Sequence, residues 1–151
     1  MRGFVVRAGG LAAAVAMALT GVAQADPSTA DGPAARQEAA YFEFTAPSYS
    51  AGFVVKITKQ EEIDNARAML ADETGRRYIV GRIVKRPAPY NPRWSFHYNP
   101  DSVAFSDGVI EVCDAGTEYV EDHLDEAGGA FLPGLIWCPW SAKLVREVPT
   151  P

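Results

Sequence analysis

The chain has 151 residues, of which 14 are basic and 19 acidic, and its formal net charge is −5. This length fits one domain of ordinary size that can build its own core. The acidic balance argues against a nucleic acid or an anionic membrane surface as the main partner, because both require clustered positive charge.

The first 25 residues have the three parts of a secretory signal peptide. Arg2 and Arg7 form a basic head, residues 11–22 are an apolar run, and Ala23-Gln24-Ala25 is a small-x-small cleavage site. The run is shorter than the roughly 20 residues that span a bilayer, although an uncleaved signal anchor is the alternative. We therefore predict a signal peptide at residues 1–25 and a secreted protein without a stable membrane anchor.

Residues 26–40 are rich in Ala, Pro, Gly and Asp and have no apolar period, which predicts a flexible N-terminal spacer. We expect a single globular domain at residues 41–151. A short edge strand is predicted at residues 41–44 and a turn at residues 47–52. Residues 53–57 are β-branched and aromatic, which is typical of a strand with alternate side chains in the core.

Thr58 and Glu61 have the spacing of a capping box, which predicts the start of a helix. This helix places Ile63, Ala66 and Leu70 on one stripe and ends near Gly75.

Residues 77–86 alternate in the manner of a strand and are apolar on both faces, which predicts a central strand. A calmodulin-type target helix is the alternative for this basic stretch. Gly81, Pro87 and the β-branched residues disfavour a helix.

The segment 87–100 is unusually rich in prolines and aromatic residues, and Trp94, Phe96 and Tyr98 share one face of a short predicted strand. Aromatic side chains on proline-stiffened loops lose little conformational entropy on binding. The alternative is that the tryptophans belong to the core. We select four candidate binding residues for an extracellular protein or peptide: Tyr90, Arg93, Trp94 and Trp140.

A second helix is predicted from Thr117 as N-cap to a stop at Gly128-Gly129, with Val120, Leu124 and Ala127 buried. Its many carboxylates invite a basic partner or a cation, although a solvated face is the simpler interpretation. The last predicted strand runs from Lys143 to Val148.

Cys113 and Cys138 are the two cysteines, and export makes one intramolecular disulfide the default interpretation. A catalytic thiol would need an adjacent base, and zinc would need two further ligands. Neither arrangement is visible. We predict a structural disulfide, no metal site and no cofactor.

The order of elements favours an α+β fold, with a small antiparallel sheet that carries two helices on one face in a split βαβ (βαββαβ-like) arrangement. His97 and His123 are the only histidines, and neither a G-x-S-x-G nor an H-E-x-x-H motif occurs. We therefore expect a non-enzymatic monomer, with a hydrolase as the weakest alternative.

Seven short motifs lie between residues 89 and 141. They are Pro89-Tyr90-Asn91-Pro92, Trp94-Ser95-Phe96-His97, Asn99-Pro100-Asp101-Ser102, Glu111-Val112-Cys113-Asp114, Tyr119-Val120-Glu121-Asp122-His123-Leu124, Phe131-Leu132-Pro133-Gly134 and Trp137-Cys138-Pro139-Trp140-Ser141. On these motifs, most of the chain from about residue 53 to residue 148 resembles the N-terminal-domain family of the BP-type calmodulin-binding protein, which includes short secreted bacterial relatives. The resemblance implies a calmodulin-binding-protein-like module but carries over no binding residues.

Two functions remain open at this point. The first is a secreted binding module for a protein or peptide partner. The second is a secreted protease inhibitor that offers the proline-stiffened loop at residues 87–93 as a substrate mimic, which requires the loop to be rigid.

Overall fold

The computed structural model describes residues 38–46, 49–72 and 77–151. The predicted signal peptide, most of the predicted spacer and the predicted helix end near Gly75 lie outside these residues. The described elements, in chain order, are β1 (Ala40–Ala46), β2 (Tyr49–Ile57), α1 (Gln60–Ala71), β3 (Tyr78–Val84), β4 (His97–Tyr98), β5 (Ala104–Ser106), α2 (Thr117–Asp122), β6 (Ile136–Trp137) and β7 (Lys143–Val148).

The first sheet has β1 in its centre, paired antiparallel with β2 on one side and with β7 on the other. Alternate residues of β1 and β2 face the core, and Phe42, Phe53 and Ile57 are fully buried. The predicted final strand is confirmed with the same bounds, Lys143–Val148. β2 begins at Tyr49, so the second half of the predicted turn is strand instead.

Helix α1 packs between the first sheet and β5, and the predicted burial of Ile63 and Ala66 is confirmed. The predicted capping box is wrong. The N-cap is Lys59, which makes no side-chain cap hydrogen bond, while the Thr58 hydroxyl donates to Asp101 Oδ1 at 2.7 Å. A tertiary acceptor has therefore replaced the local one.

The second sheet is built around β3, which pairs antiparallel with β4, β5 and β6 and is the predicted central strand. Gly81 is required in this strand, because a Cβ atom there would lie 2.9 Å from the Tyr98 ring. The absence of a side chain at this position lets Tyr98 stack on Trp137, with their ring centroids 5.0 Å apart.

The two sheets enclose an aromatic core. Phe53 lies at its centre, with ring centroids 5.1 Å from Phe96 and 5.2 Å from both Phe44 and Trp137. The Trp137 indole N–H is satisfied by the Ala115 carbonyl at 2.9 Å. Burial raises the pKa of Tyr98 well above its usual range, so this core phenol stays neutral.

The α+β class is confirmed: the strands are antiparallel, two helices are present, and Cys113 and Cys138 form the predicted disulfide. The strands are divided between two sheets rather than placed in one. Helix α2 ends at Asp122, before the predicted stop at Gly128-Gly129, and the chain continues in turns. The N-cap is Gly116 rather than Thr117, while Val120 is buried as predicted.

Candidate binding surfaces

The proline loop, residues 87–94, is fixed to the outer edge of β2. Asn91 Oδ1 accepts a hydrogen bond from the Val54 N–H at 3.1 Å, and the Trp94 indole N–H donates to the Gly52 carbonyl at 3.1 Å. Asn91 is 3% exposed and Trp94 is 4% exposed. The loop therefore has the rigidity that the sequence analysis expected of it, although side chains rather than prolines supply these two anchors.

Tyr90 is half-buried on the outside of this loop. Its ring contacts Tyr41 edge-on, with centroids 5.3 Å apart, and lies 6.1 Å from the His97 ring. Burial, with a smaller contribution from Tyr41, raises the pKa of Tyr90 to about 12. The Lys56 ammonium lies 5.8 Å from the Tyr41 ring centroid and extends this small aromatic surface.

The other predicted contact residues have different surroundings. Arg93 is exposed, with its guanidinium 5.9 Å from the Trp94 ring centroid, whereas Trp94 itself belongs to the core. Trp140 is partly buried beyond the disulfide, where its ring lies 6.5 Å from Tyr78 and its backbone N–H donates to Asp114 Oδ1 at 2.9 Å. Of the four predicted contact residues, Arg93 is thus exposed, Tyr90 and Trp140 are partly buried, and Trp94 is buried.

A second surface was not predicted from the sequence. An open groove of about 260 Å³, which we call the β7 groove, lies between the C-terminal half of α1, the first half of β7 and the second sheet. Its lining residues are Phe44, Met69, Leu70, Asp72, Arg77, Ile79, Phe105, Ala142, Lys143, Leu144 and Val145. No local signal indicates it, because its walls come from five distant segments.

A β-bulge explains why three consecutive residues of β7 line this groove. The register with β1 shifts between Glu43, which faces Arg146, and Phe44, which faces Leu144. Val145 is the additional residue and interrupts the alternation of faces. Its side chain is 47% exposed, which makes it one of the more exposed large apolar residues of the described chain.

Two contacts near α2 are structural: one uses the Glu121 carboxylate and the other the backbone carbonyl of Asp125. Glu121 accepts the Ser95 N–H through both carboxylate oxygens, at 2.9 and 3.2 Å. Lys85 Nζ donates to the Asp125 carbonyl at 3.2 Å. Within residues 38–46, 49–72 and 77–151, no group of three or more His, Cys, Asp or Glu side chains is placed to hold a metal ion.

The same described ranges contain no helix that is both long and apolar enough to cross a membrane.

Comparison with known proteins supports the resemblance noted in the sequence. The family model for the BP-74 N-terminal domain matches residues 38–151, which is most of the chain and all of its described elements. No curated protein and no solved structure gives a significant match. The chain belongs to the BP-74 N-terminal domain family.

Proposed function

We propose that the chain is a secreted, non-enzymatic binding module for an extracellular protein or peptide partner. The observation that carries this proposal is the fixation of the proline loop by Asn91 and Trp94, which leaves Tyr90 and Arg93 on its outside. A surface that is ordered before binding loses little conformational entropy when a partner arrives. Tyr and Arg are also enriched among the residues that dominate binding energies.

The surroundings of the two histidines support a non-enzymatic role. His97 is 7% exposed, and its Nδ1 lies 2.7 Å from the Arg86 carbonyl oxygen. His123 Nδ1 lies 2.9 Å from the Tyr119 carbonyl oxygen. Among the described residues, neither ring is hydrogen-bonded to a serine or cysteine that it would activate.

The Cys113–Cys138 disulfide supports the extracellular part of the proposal, because such bonds persist in oxidising compartments. The net charge of −5 supports a partner other than a nucleic acid. We propose that the module acts as a monomer.

The protease-inhibitor alternative is less well supported by the geometry of the loop. A substrate mimic has to enter a protease cleft as an extended segment. Here the Asn91 N–H donates to the Ala88 carbonyl at 2.9 Å and the Trp94 N–H to the Asn91 carbonyl at 3.1 Å. These two consecutive turns fold the segment back on itself, so the geometry favours a binding module.

Affinity capture from culture supernatant tests the proposal. The immobilised baits are the wild type, the Tyr90→Ala, Arg93→Ala double mutant, Arg93→Glu, and Gln60→Ala as a control at the exposed start of α1. We expect a partner that the wild type and the control retain about tenfold better than either loop variant. Arg93→Glu changes an exposed side chain, so a loss of binding by this variant indicates that Arg93 contacts the partner and not that the protein is misfolded.

Equal retention of every captured protein by all four baits would refute the choice of contact residues. Incubation with serine and metalloproteases decides the alternative. Inhibition at micromolar concentration, without cleavage at residues 87–93, would replace the binding-module proposal with the inhibitor.

A further inference from the structure

The fold treats the two outer edges of the first sheet differently. The β2 edge is covered by the proline loop, whose Asn91 and Trp94 side chains bond to its backbone. The β7 backbone bonds to β1 on one side, and in the described part of the chain no backbone hydrogen bond reaches its other side. An unpaired edge of this kind is a template for a further strand.

The β7 groove opens beside this edge and has the size of a side-chain pocket. Its volume of about 260 Å³ is below the roughly 300–1,000 Å³ of sites that enclose a whole small ligand. Ile79 and Phe105 are buried at its base, and Leu144 and Val145 lie on the β7 side. One large apolar side chain, projecting from a chain outside the groove, matches this shape.

The charged residues at the rim of the groove indicate which second side chain of the ligand would lie next to the apolar one. Of the three charged residues of β7, the two outside the groove lining are paired, Arg146 with Glu43 and Glu147 with Arg67. Lys143 is exposed and forms no ion pair with any described residue.

Arg77 also lines the groove and pairs with Asp107, which is 86% exposed. Asp72 is the single acidic residue of the lining. The ion pair with Asp107 compensates the charge of Arg77, so Lys143 is the rim cation without an ion-pair partner among the described residues, and it complements an acidic side chain of a ligand.

We propose that the β7 groove binds an extended peptide segment of a partner protein, which adds as a further strand to the outer edge of β7, inserts one large apolar side chain into the groove and places an acidic side chain beside Lys143. Main-chain hydrogen bonds then supply affinity, and the groove and its rim supply specificity. This site is separate from the proline loop and functions whether or not that loop binds.

A display library of random dodecapeptides, selected on the full chain, tests the proposal. We expect enriched sequences that share a large apolar residue next to an acidic one. Val145→Arg should weaken their binding about tenfold or more, and Lys143→Glu should weaken it selectively for acidic peptides. Both substitutions are at exposed positions, while Gln60→Ala at the exposed start of α1 should leave the affinity unchanged.

Hydrogen exchange distinguishes strand addition from a purely electrostatic contact, which would not change the exchange of the backbone amides of β7. Peptide addition should protect backbone amides within residues 143–146, because strand pairing shields them from solvent. Three results would each overturn the proposal: a library without enrichment, peptides that bind the Val145→Arg variant equally well, or unchanged exchange in β7. A dimer seen in sedimentation and abolished by Val145→Arg would make a second copy the occupant and would also overturn it.

Discussion

Replacing both Cys113 and Cys138 by alanine tests how much of the stability depends on the disulfide. The bond ties the 3₁₀ helix Glu111–Cys113 to the end of β6, and it is reinforced by a backbone hydrogen bond from Cys138 to Cys113 at 2.8 Å. At this short helix Ile110 and Val112 are 68% and 60% exposed and bury little surface of their own. The covalent link is therefore the main constraint on this segment.

The magnitude follows from the length of the closed loop. For a sequence separation of 25, the chain-entropy model gives about 3.5 kcal/mol at 25 °C. An unfolding entropy of about 2.1 cal/mol/K per residue gives about 0.24 kcal/mol/K for residues 38–151. The double variant should therefore melt about 15 °C below the wild type.

Thermal unfolding followed by circular dichroism measures this shift, with and without a reducing agent. Reductant should lower the melting temperature of the wild type toward that of the variant and leave the variant unchanged. A shift below about 5 °C would refute the reasoning, because it would mean that the bond restricts the unfolded chain much less than the chain-entropy model requires.

Two further predictions concern the proline loop. Asn91→Ala should lower the free energy of unfolding, measured in urea, by about 1–3 kcal/mol, because it leaves the Val54 N–H without its acceptor. Ser95→Ala, at a neighbouring exposed position, should change it by less than about 0.5 kcal/mol. Equal effects of the two substitutions would refute the role of Asn91 as an anchor. The pKa of Tyr90, raised to about 12 in the fold against about 10 in the unfolded chain, makes the neutral phenol the favoured form. The contribution of the Tyr90 phenol to stability is complete below pH 10 and is lost as the pH rises toward 12. The wild type should therefore lose stability relative to Tyr90→Phe across that window. Parallel profiles of stability against pH for the two proteins would contradict this.

Local sequence patterns predicted the elements whose structure depends mainly on the burial of their own apolar side chains. The central position of β3 follows from the apolar residues on both of its faces, and the buried stripe of α1 follows from the helical period of its apolar residues. The final strand Lys143–Val148 is also predicted with its observed bounds. The disulfide follows from the cysteine count and the predicted export.

Long-range contacts account for what the sequence did not predict. The Thr58 hydroxyl donates to Asp101, 43 residues away, so a tertiary hydrogen bond replaces the local cap that the sequence predicted. The division into two sheets depends on which strands pair, and the pattern of one strand does not specify its neighbours. The β7 groove combines side chains from five segments between Phe44 and Val145, which no local pattern brings together.

The proline loop and the β7 edge are connected through the topology of one three-stranded sheet. A sheet with both edges open can pair with other chains on two sides and grow without limit. Asn91 and Trp94 occupy two backbone groups of the β2 edge, so β7 is the edge of this sheet at which a strand can be added. The paired charges of Arg146 and Glu147 further restrict pairing to the groove end of β7. The side chains that make the loop rigid thereby also direct peptide binding to a single edge.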